Sequence, residues 1–213
     1  NQNINHKFNL KLEYTIDSMN KITLSPRLIL QNNDSKSSLQ GTNISPLSNQ
    51  LLSSTVNDNT SLSNGYNFSN DFLVQHKFHK KGRTISFNLN SQINNRSGDG
   101  NYYSTSIYDD SLDVPQIVDQ QSETSSGNLI LNGNLSYTEP IGKKGQMMLT
   151  YRPSYIKNEA KKTINNKLSG GEYTSQDTLL SNNFSNTFVS QRVGASYRLN
   201  TSTSSFSVGA EVE

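Results

Sequence analysis

The feature that most constrains this chain is a strict alternation of apolar and polar residues. The first run sets Phe8, Leu10, Leu12, Tyr14 and Ile16 against Lys7, Asn9, Lys11, Glu13 and Thr15. Successive side chains of a β-strand point to opposite faces, so this run predicts a strand with one apolar and one polar face. A turn over residues 17–20 follows, and the alternation resumes from Ile22 to Leu30. The pattern is that of a β-hairpin.

The hairpin recurs along the chain. We expect hairpins over about residues 6–31, 62–94, 128–157 and 187–213, with turn centres that recur about every 61 residues. The segments between them, near 33–61, 95–127 and 158–186, are rich in Asn and Ser and are expected to be long loops. Residues 1–213 are thus predicted to be one all-β segment, an antiparallel up-and-down meander of about eight strands. Short periplasmic turns and three long extracellular loops are typical of a transmembrane β-barrel.

A soluble β-sandwich also alternates apolar and polar residues, and it is the structural alternative. Three features favour lipid. The alternating runs are longer than the five or six residues that are usual for soluble strands, and they match the length that a tilted membrane strand needs. The apolar face is almost free of charge, whereas the polar face carries several charged residues, as a wet lumen permits. One aromatic residue precedes each turn and predicts a membrane-interface girdle: Tyr14, Phe78, Tyr137 and Tyr197.

Composition agrees with a barrel and excludes several other classes. The chain is only 31% hydrophobic and its mean hydropathy is −0.70, which is expected when apolar and polar residues alternate. No run of about 18 apolar residues exists, so a transmembrane helix is excluded. The chain has no cysteine, and its formal net charge of +2 comes from scattered residues. Disulfides are therefore excluded, and nothing indicates binding to nucleic acid.

No set of residues in the sequence indicates catalysis, a metal site or a cofactor, so we do not expect an enzyme. One segment is rich in oxygen ligands and tyrosines, and it is where we would look for contact with a ligand. Its candidate residues are Asp99, Tyr102, Tyr103, Tyr108, Asp109 and Asp110. The alternative is an external loop that folds on its own tyrosines.

Three stretches resemble the outer-membrane β-barrel family of Bacteroidetes-type bacteria, whose members look like TonB-dependent receptors. They are NHKFNLKLEY at 5–14, KKGRTIS at 80–86 and LSYTEPIGK at 135–143. The resemblance covers nearly the whole chain. It implies a plugged barrel of about 22 strands in the cell outer membrane, driven by an inner-membrane energy-coupling complex and served by a surface lipoprotein. The chain contains no plug or coupling motif, so we expect it to be part of a larger barrel.

Three hypotheses for function follow. The first is a segment of a TonB-dependent-receptor-like transporter that lines the lumen and presents external loops to an unknown small ligand, such as a glycan, a peptide or a metal chelate. The second is a complete eight-stranded outer-membrane barrel with a structural or adhesive role. The third is a soluble β-sandwich that acts as a binding module.

Overall fold

The computed structural model describes residues 1–108, 114–200 and 203–213, and it shows a β-meander. Its ten strands are β1 (Gln2–Asn9), β2 (Leu12–Thr15), β3 (Asn20–Ile44), β4 (Leu51–Lys77), β5 (Thr84–Tyr108), β6 (Gln116–Ile141), β7 (Gly145–Lys167), β8 (Tyr173–Gln176), β9 (Asn182–Asn200) and β10 (Ser205–Val212). All ten belong to one sheet with the order β1-β3-β4-β5-β6-β7-β9-β10, in which β2 also pairs with β3 and β8 with β7. Every pairing is antiparallel. The all-β antiparallel meander is therefore confirmed.

The strands are much longer than the alternating runs suggest. Strands β3, β4 and β5 contain 25, 27 and 25 residues. At about 3.3 Å per residue, a strand of this length extends for about 80 Å, more than twice the thickness of a hydrocarbon core. The sheet therefore continues far beyond its apolar part.

The three segments that we expected to be long loops are mostly strand, and this prediction is corrected. Strand β3 continues to Ile44, β4 begins at Leu51, β5 ends at Tyr108 and β6 begins at Gln116. Backbone pairing requires no apolar side chain, and short polar side chains also bond between these strands, as Thr55 Oγ1 does with Ser106 Oγ at 3.1 Å. Absence of an apolar face therefore does not end a strand.

Two prolines on the apolar face explain irregularities in the pairing. Proline has no N–H to donate to a ladder. Opposite Pro26 the first strand is divided into β1 and β2, and only the Leu10 N–H to Pro26 O bond, at 3.0 Å, remains there. Opposite Pro153, the β6–β7 ladder lapses between Asn132 and Leu135 and then resumes in the same register. Gly133 leaves room for the ring, since a Cβ there would lie 2.9 Å from Pro153 Cγ.

The described residues form a single layer with almost no interior. Ile164 is their one buried hydrophobic residue, and many large apolar side chains are exposed. Two packed sheets would bury these side chains, so the β-sandwich alternative is wrong for this part of the chain. Strands β1 and β10 are the two edges of the sheet and do not pair with each other. The sheet is thus not a closed eight-stranded ring.

Candidate functional site

The register gathers the apolar residues of all the long strands on one face. Directly paired positions run across the sheet as a continuous row: Tyr14, Ile22, Val74, Phe87, Leu135, Tyr151, Val193 and Val212. The alternation that was visible in each strand separately is therefore in phase between strands. We call this surface the apolar face, and the opposite surface the polar face.

The apolar face has the height of a hydrocarbon layer. On β5 its apolar residues extend from Ile85 to Ile93, which is about 26 Å along the strand. A tilt of about 40° reduces this to a vertical height of about 20 Å, to which the side chains at both ends add a few ångströms. No Asp, Glu, Lys or Arg occupies the apolar parity of this span, of Ile22–Leu30 on β3 or of Leu129–Tyr137 on β6. A continuous apolar surface of this size requires a cover, and lipid provides one.

The four predicted interface aromatics all lie on the apolar side near the short turns. Phe78 and Tyr137 meet edge to face with ring centroids 6.4 Å apart. The Tyr197 ring lies over Gly145, where a Cβ would come within 2.5 Å of the tyrosine oxygen. Tyr14 is exposed. These positions are those of a girdle, and insertion of the rings at a membrane interface stays a prediction.

A cluster of charged groups lies just below this girdle. Glu139 accepts hydrogen bonds from Arg83 Nε at 2.6 Å, from Lys80 Nζ at 2.5 Å and from the Tyr137 hydroxyl at 2.7 Å. These bonds, above all that from Arg83, hold the pKa of Glu139 well below its usual range. The cluster joins the β4–β5 turn to the end of β6. The sequence pattern did not indicate it, because Glu139 is more than fifty residues away from Lys80 and Arg83.

The polar face carries ion pairs and amides at the same heights. Glu13 lies 2.6 Å from Lys11 Nζ and 2.8 Å from Lys21 Nζ. Arg152 lies 2.8 Å from Glu211. Every side chain in these pairs is between 39% and 65% exposed. Such charges are compatible with a water-filled space and would be costly in a tightly packed interior.

A row of asparagines crosses the polar face near the upper limit of the apolar span. Asn67, Asn94, Asn128, Asn158 and Asn186 are paired in succession on β4, β5, β6, β7 and β9. The Asn94 amide donates to Asn128 Oδ1 at 3.4 Å, and the Asn128 amide donates to Asn158 Oδ1. Asn94 Oδ1 is buried and has no hydrogen-bond partner within the described chain.

The asparagine row borders a concavity of about 450 Å³ on the polar face. Its other lining residues include Ile29, Arg96 and Phe184, while Gly65 and Ala160 leave space between them. Amides lie here beside the rings of Tyr66 and Phe184 and the charges of Arg96 and Glu159, so the concavity offers both polar and apolar contacts to a small ligand. Sequence inspection missed this site because the asparagines become neighbours only through the register.

Four of the six predicted ligand residues lie on a strand and not on a loop, and they do not form one cluster. Asp99, Tyr102, Tyr103 and Tyr108 all belong to β5. Asp99 and Tyr103 have the parity of the apolar face, whereas Tyr102 and Tyr108 have that of the polar face. The Tyr102 hydroxyl donates to Asn57 Oδ1 at 3.2 Å. Asp109 and Asp110 lie outside the described residues, and ligand binding by this segment stays a prediction.

These surfaces define an antiparallel β-sheet suited to a membrane, with one face for lipid and one for water. The family profile of the outer membrane protein beta-barrel family matches residues 76–213, about two thirds of the chain. The chain belongs to that family, and its place is accordingly the lipid bilayer of the outer membrane. A search of curated proteins gives no significant match.

Proposed function

We propose that this sheet is part of the wall of a wide transport barrel similar to the TonB-dependent receptors. Its polar face would line a water-filled lumen, and its short turns would face the periplasm. The observation that carries the proposal is the exposure of the ion pairs on the polar face. The Arg152–Glu211 and Arg192–Glu213 pairs leave each partner between 39% and 50% exposed. Barrels of about eight strands are filled by their own side chains, whereas wider ones leave space for water.

The edges of the sheet also favour a wide barrel. Eight strands in succession do not bring β1 and β10 together. An unpaired edge is not stable in hydrocarbon, because its N–H and C=O groups have no partner there. Additional strands that pair with both edges would satisfy these groups and widen the lumen. This argument favours the transporter hypothesis over the complete eight-stranded barrel.

The proposed cargo is a small polar molecule that is admitted from the end of the sheet opposite the short turns. The asparagine row offers amide donors and acceptors at the level where the lumen leaves the membrane. An inner-membrane energy-coupling complex and a surface lipoprotein are the partners that such a transporter would need. They would act through parts of the protein other than the sheet described above.

Cysteine labelling tests the proposal, since the sequence contains no native cysteine. Asn90→Cys and Asn134→Cys place thiols on the polar face, and their neighbours Leu89→Cys and Leu135→Cys place matched thiols on the apolar face. Intact cells that express the full-length protein are treated with membrane-impermeant maleimides of increasing mass. We expect labelling of the two asparagine positions with reagents that are too large for a filled barrel, and little labelling of the leucine positions.

Two results would contradict the proposal. Labelling of the polar-face cysteines only by the smallest reagents, or by none, would indicate a filled narrow barrel. Equal labelling of both faces would show that the apolar face does not contact lipid while the polar face lines the lumen. Energy coupling is tested separately by repeating the labelling in cells without the coupling complex. An equal labelling rate for Asn90→Cys in cells with and without the coupling complex, both in the presence of the cargo, would argue against a TonB-dependent step.

A further inference from the structure

Two neighbouring turns bring five cationic side chains to one part of the turn end. Lys80, Lys81 and Arg83 lie in or beside the β4–β5 turn, and Lys143 and Lys144 form the β6–β7 turn. The β4–β5 turn contacts the end of β6 just before the β6–β7 turn, since Lys80 Nζ donates to Pro140 O at 3.1 Å. A Cβ on Gly82 would also lie 3.5 Å from the Pro140 ring. We call this group of cations the basic rim.

The basic rim has more positive charge than its own carboxylate can neutralise. Glu139 pairs with Lys80 at 2.5 Å and with Arg83 at 2.6 Å. Lys81, Lys143 and Lys144 are exposed, and none has an ion-pair partner within the part of the chain that the structure describes. These three lysines therefore present an unbalanced positive charge beside the membrane surface.

The apolar face carries a groove that crosses strands β5, β6, β7, β9 and β10. The groove has a volume of about 470 Å³, and its lining is almost entirely apolar. It exists because Ala195 and Ala210, which are paired with each other, are much smaller than the neighbouring Tyr137, Leu149 and Tyr151. Its shape and composition suit a hydrocarbon chain.

The groove and the basic rim are separated by a distance that fits one lipid leaflet. Leu149 in the groove and Lys144 in the turn are joined by about 16 Å of continuous chain, which is about 12 Å of vertical height at a tilt of about 40° and lies within one leaflet. One leaflet measures about 20 Å from its headgroups to the bilayer centre. A lipid whose acyl chain lies in the groove therefore places its phosphate at the level of the lysines.

We propose that this surface is a binding site for a phospholipid with a net negative headgroup. One acyl chain occupies the groove between Tyr137, Tyr151 and the two alanines, and Lys81, Lys143 and Lys144 bind the headgroup. Charge complementarity selects the anionic lipid, because clustered lysines at a membrane surface attract anionic headgroups. The site depends on the turn end facing the phospholipid leaflet of the outer membrane, and it does not depend on transport.

Native mass spectrometry of the full-length protein in neutral detergent tests the site. The protein is titrated with dioleoylphosphatidylglycerol and with dioleoylphosphatidylcholine, and in separate arms with inorganic phosphate and with chainless glycerophosphoglycerol. We expect the anionic lipid to bind at least about tenfold more tightly than the zwitterionic one. We expect the two chainless anions to bind far more weakly than either lipid.

Two variants separate the headgroup from the chain. The triple variant Lys81→Gln, Lys143→Gln, Lys144→Gln should remove the preference for phosphatidylglycerol and leave the affinity for phosphatidylcholine unchanged. Its control, Lys36→Gln, Lys161→Gln, Lys162→Gln, removes three exposed lysines from the opposite end of the sheet and should behave as the parent protein. Ala195→Trp fills the groove and should lower the affinity for both lipids several-fold, while the preference for the anionic lipid is retained.

Four results would overturn the lipid site. They are equal affinity for the two lipids, a triple lysine variant that matches its control, unchanged lipid affinity in Ala195→Trp, and inorganic phosphate that competes as well as the lipid does. The heat-dependent gel mobility of each variant is measured first, so that a folding failure is not taken for loss of the site. The cysteine labelling pattern is independent of these results, and it distinguishes failure of the lipid site from failure of the barrel assignment.

Discussion

An arginine at the centre of the apolar face provides the sharpest test of its contact with lipid. Leu89 is at the middle of the β5 span that extends from Ile85 to Ile93, and it pairs with Phe72 and Gly133. Asn90, the next residue, points to the polar face, where its amide donates to Asp71 Oδ1 at 2.8 Å. The two positions thus share a strand and a height, and they differ in the face that they occupy.

The expected cost follows from depth in the bilayer. Arginine on a lipid-facing strand costs about 2–4 kcal/mol at the midplane and about 0–1 kcal/mol near the interfaces. Leu89→Arg should therefore shift the unfolding equilibrium by about 30- to 900-fold, and Ile85→Arg and Ile93→Arg by much less. Asn90→Arg would lie beside Asp71 in water, so its effect should remain within about 1 kcal/mol.

Denaturant unfolding of the full-length protein in phosphatidylcholine liposomes measures these differences. The sequence above has no tryptophan, so the folded fraction is best read from the mobility of unheated samples on a gel. A cost for Asn90→Arg as large as that for Leu89→Arg would refute the assignment of faces. An equal loss of unfolding free energy for the arginine variants at Ile85, Leu89 and Ile93 would refute the dependence of this loss on depth in the bilayer. It would indicate that protein, and not lipid, covers the apolar face.

Three further predictions concern local structure. Gly133→Ala should destabilise the sheet by about 1–3 kcal/mol in the same assay, because the new Cβ would meet the Pro153 ring, and Pro153→Ala in that background should recover most of the loss. Glu139→Gln should lower the free energy of unfolding at pH 7. Because Arg83 holds the pKa of Glu139 down in the folded state, the parent protein should lose this stabilisation as the pH falls below about 4.3. The free energy of unfolding of the variant should decline less over that range, and acid titration of unfolding measures the difference. Asp17→Ala should accelerate amide hydrogen exchange in the first turn, since Asp17 Oδ1 accepts bonds from two backbone N–H groups at 2.7 Å, and Asp17→Asn, which keeps an acceptor, should not.

Much of the membrane part of the fold could be predicted from the sequence. The alternation from Ile22 to Leu30 and from Ile85 to Ile93 correctly assigned side chains to faces, because the period of a strand fixes the face without any long-range information. Turn positions were also predictable, since Gly82 and Gly142 adopt positive φ values of 88° and 64° that turns require. The extension of β5 through Tyr102 to Tyr108 was missed, because polar strands have no periodic signal.

The sequence by itself determined the class of protein: amphipathic antiparallel strands whose almost charge-free face suits lipid, joined by short turns at one end. Only the tertiary structure decided which residues are neighbours. Register placed Asn94, Asn128 and Asn158 in one row and brought Glu139 to Arg83. The physical reason is that the face on which a side chain lies depends on a period of two residues within one strand. Contact between side chains of different strands depends on hydrogen-bonded pairing of segments that are tens of residues apart in the chain.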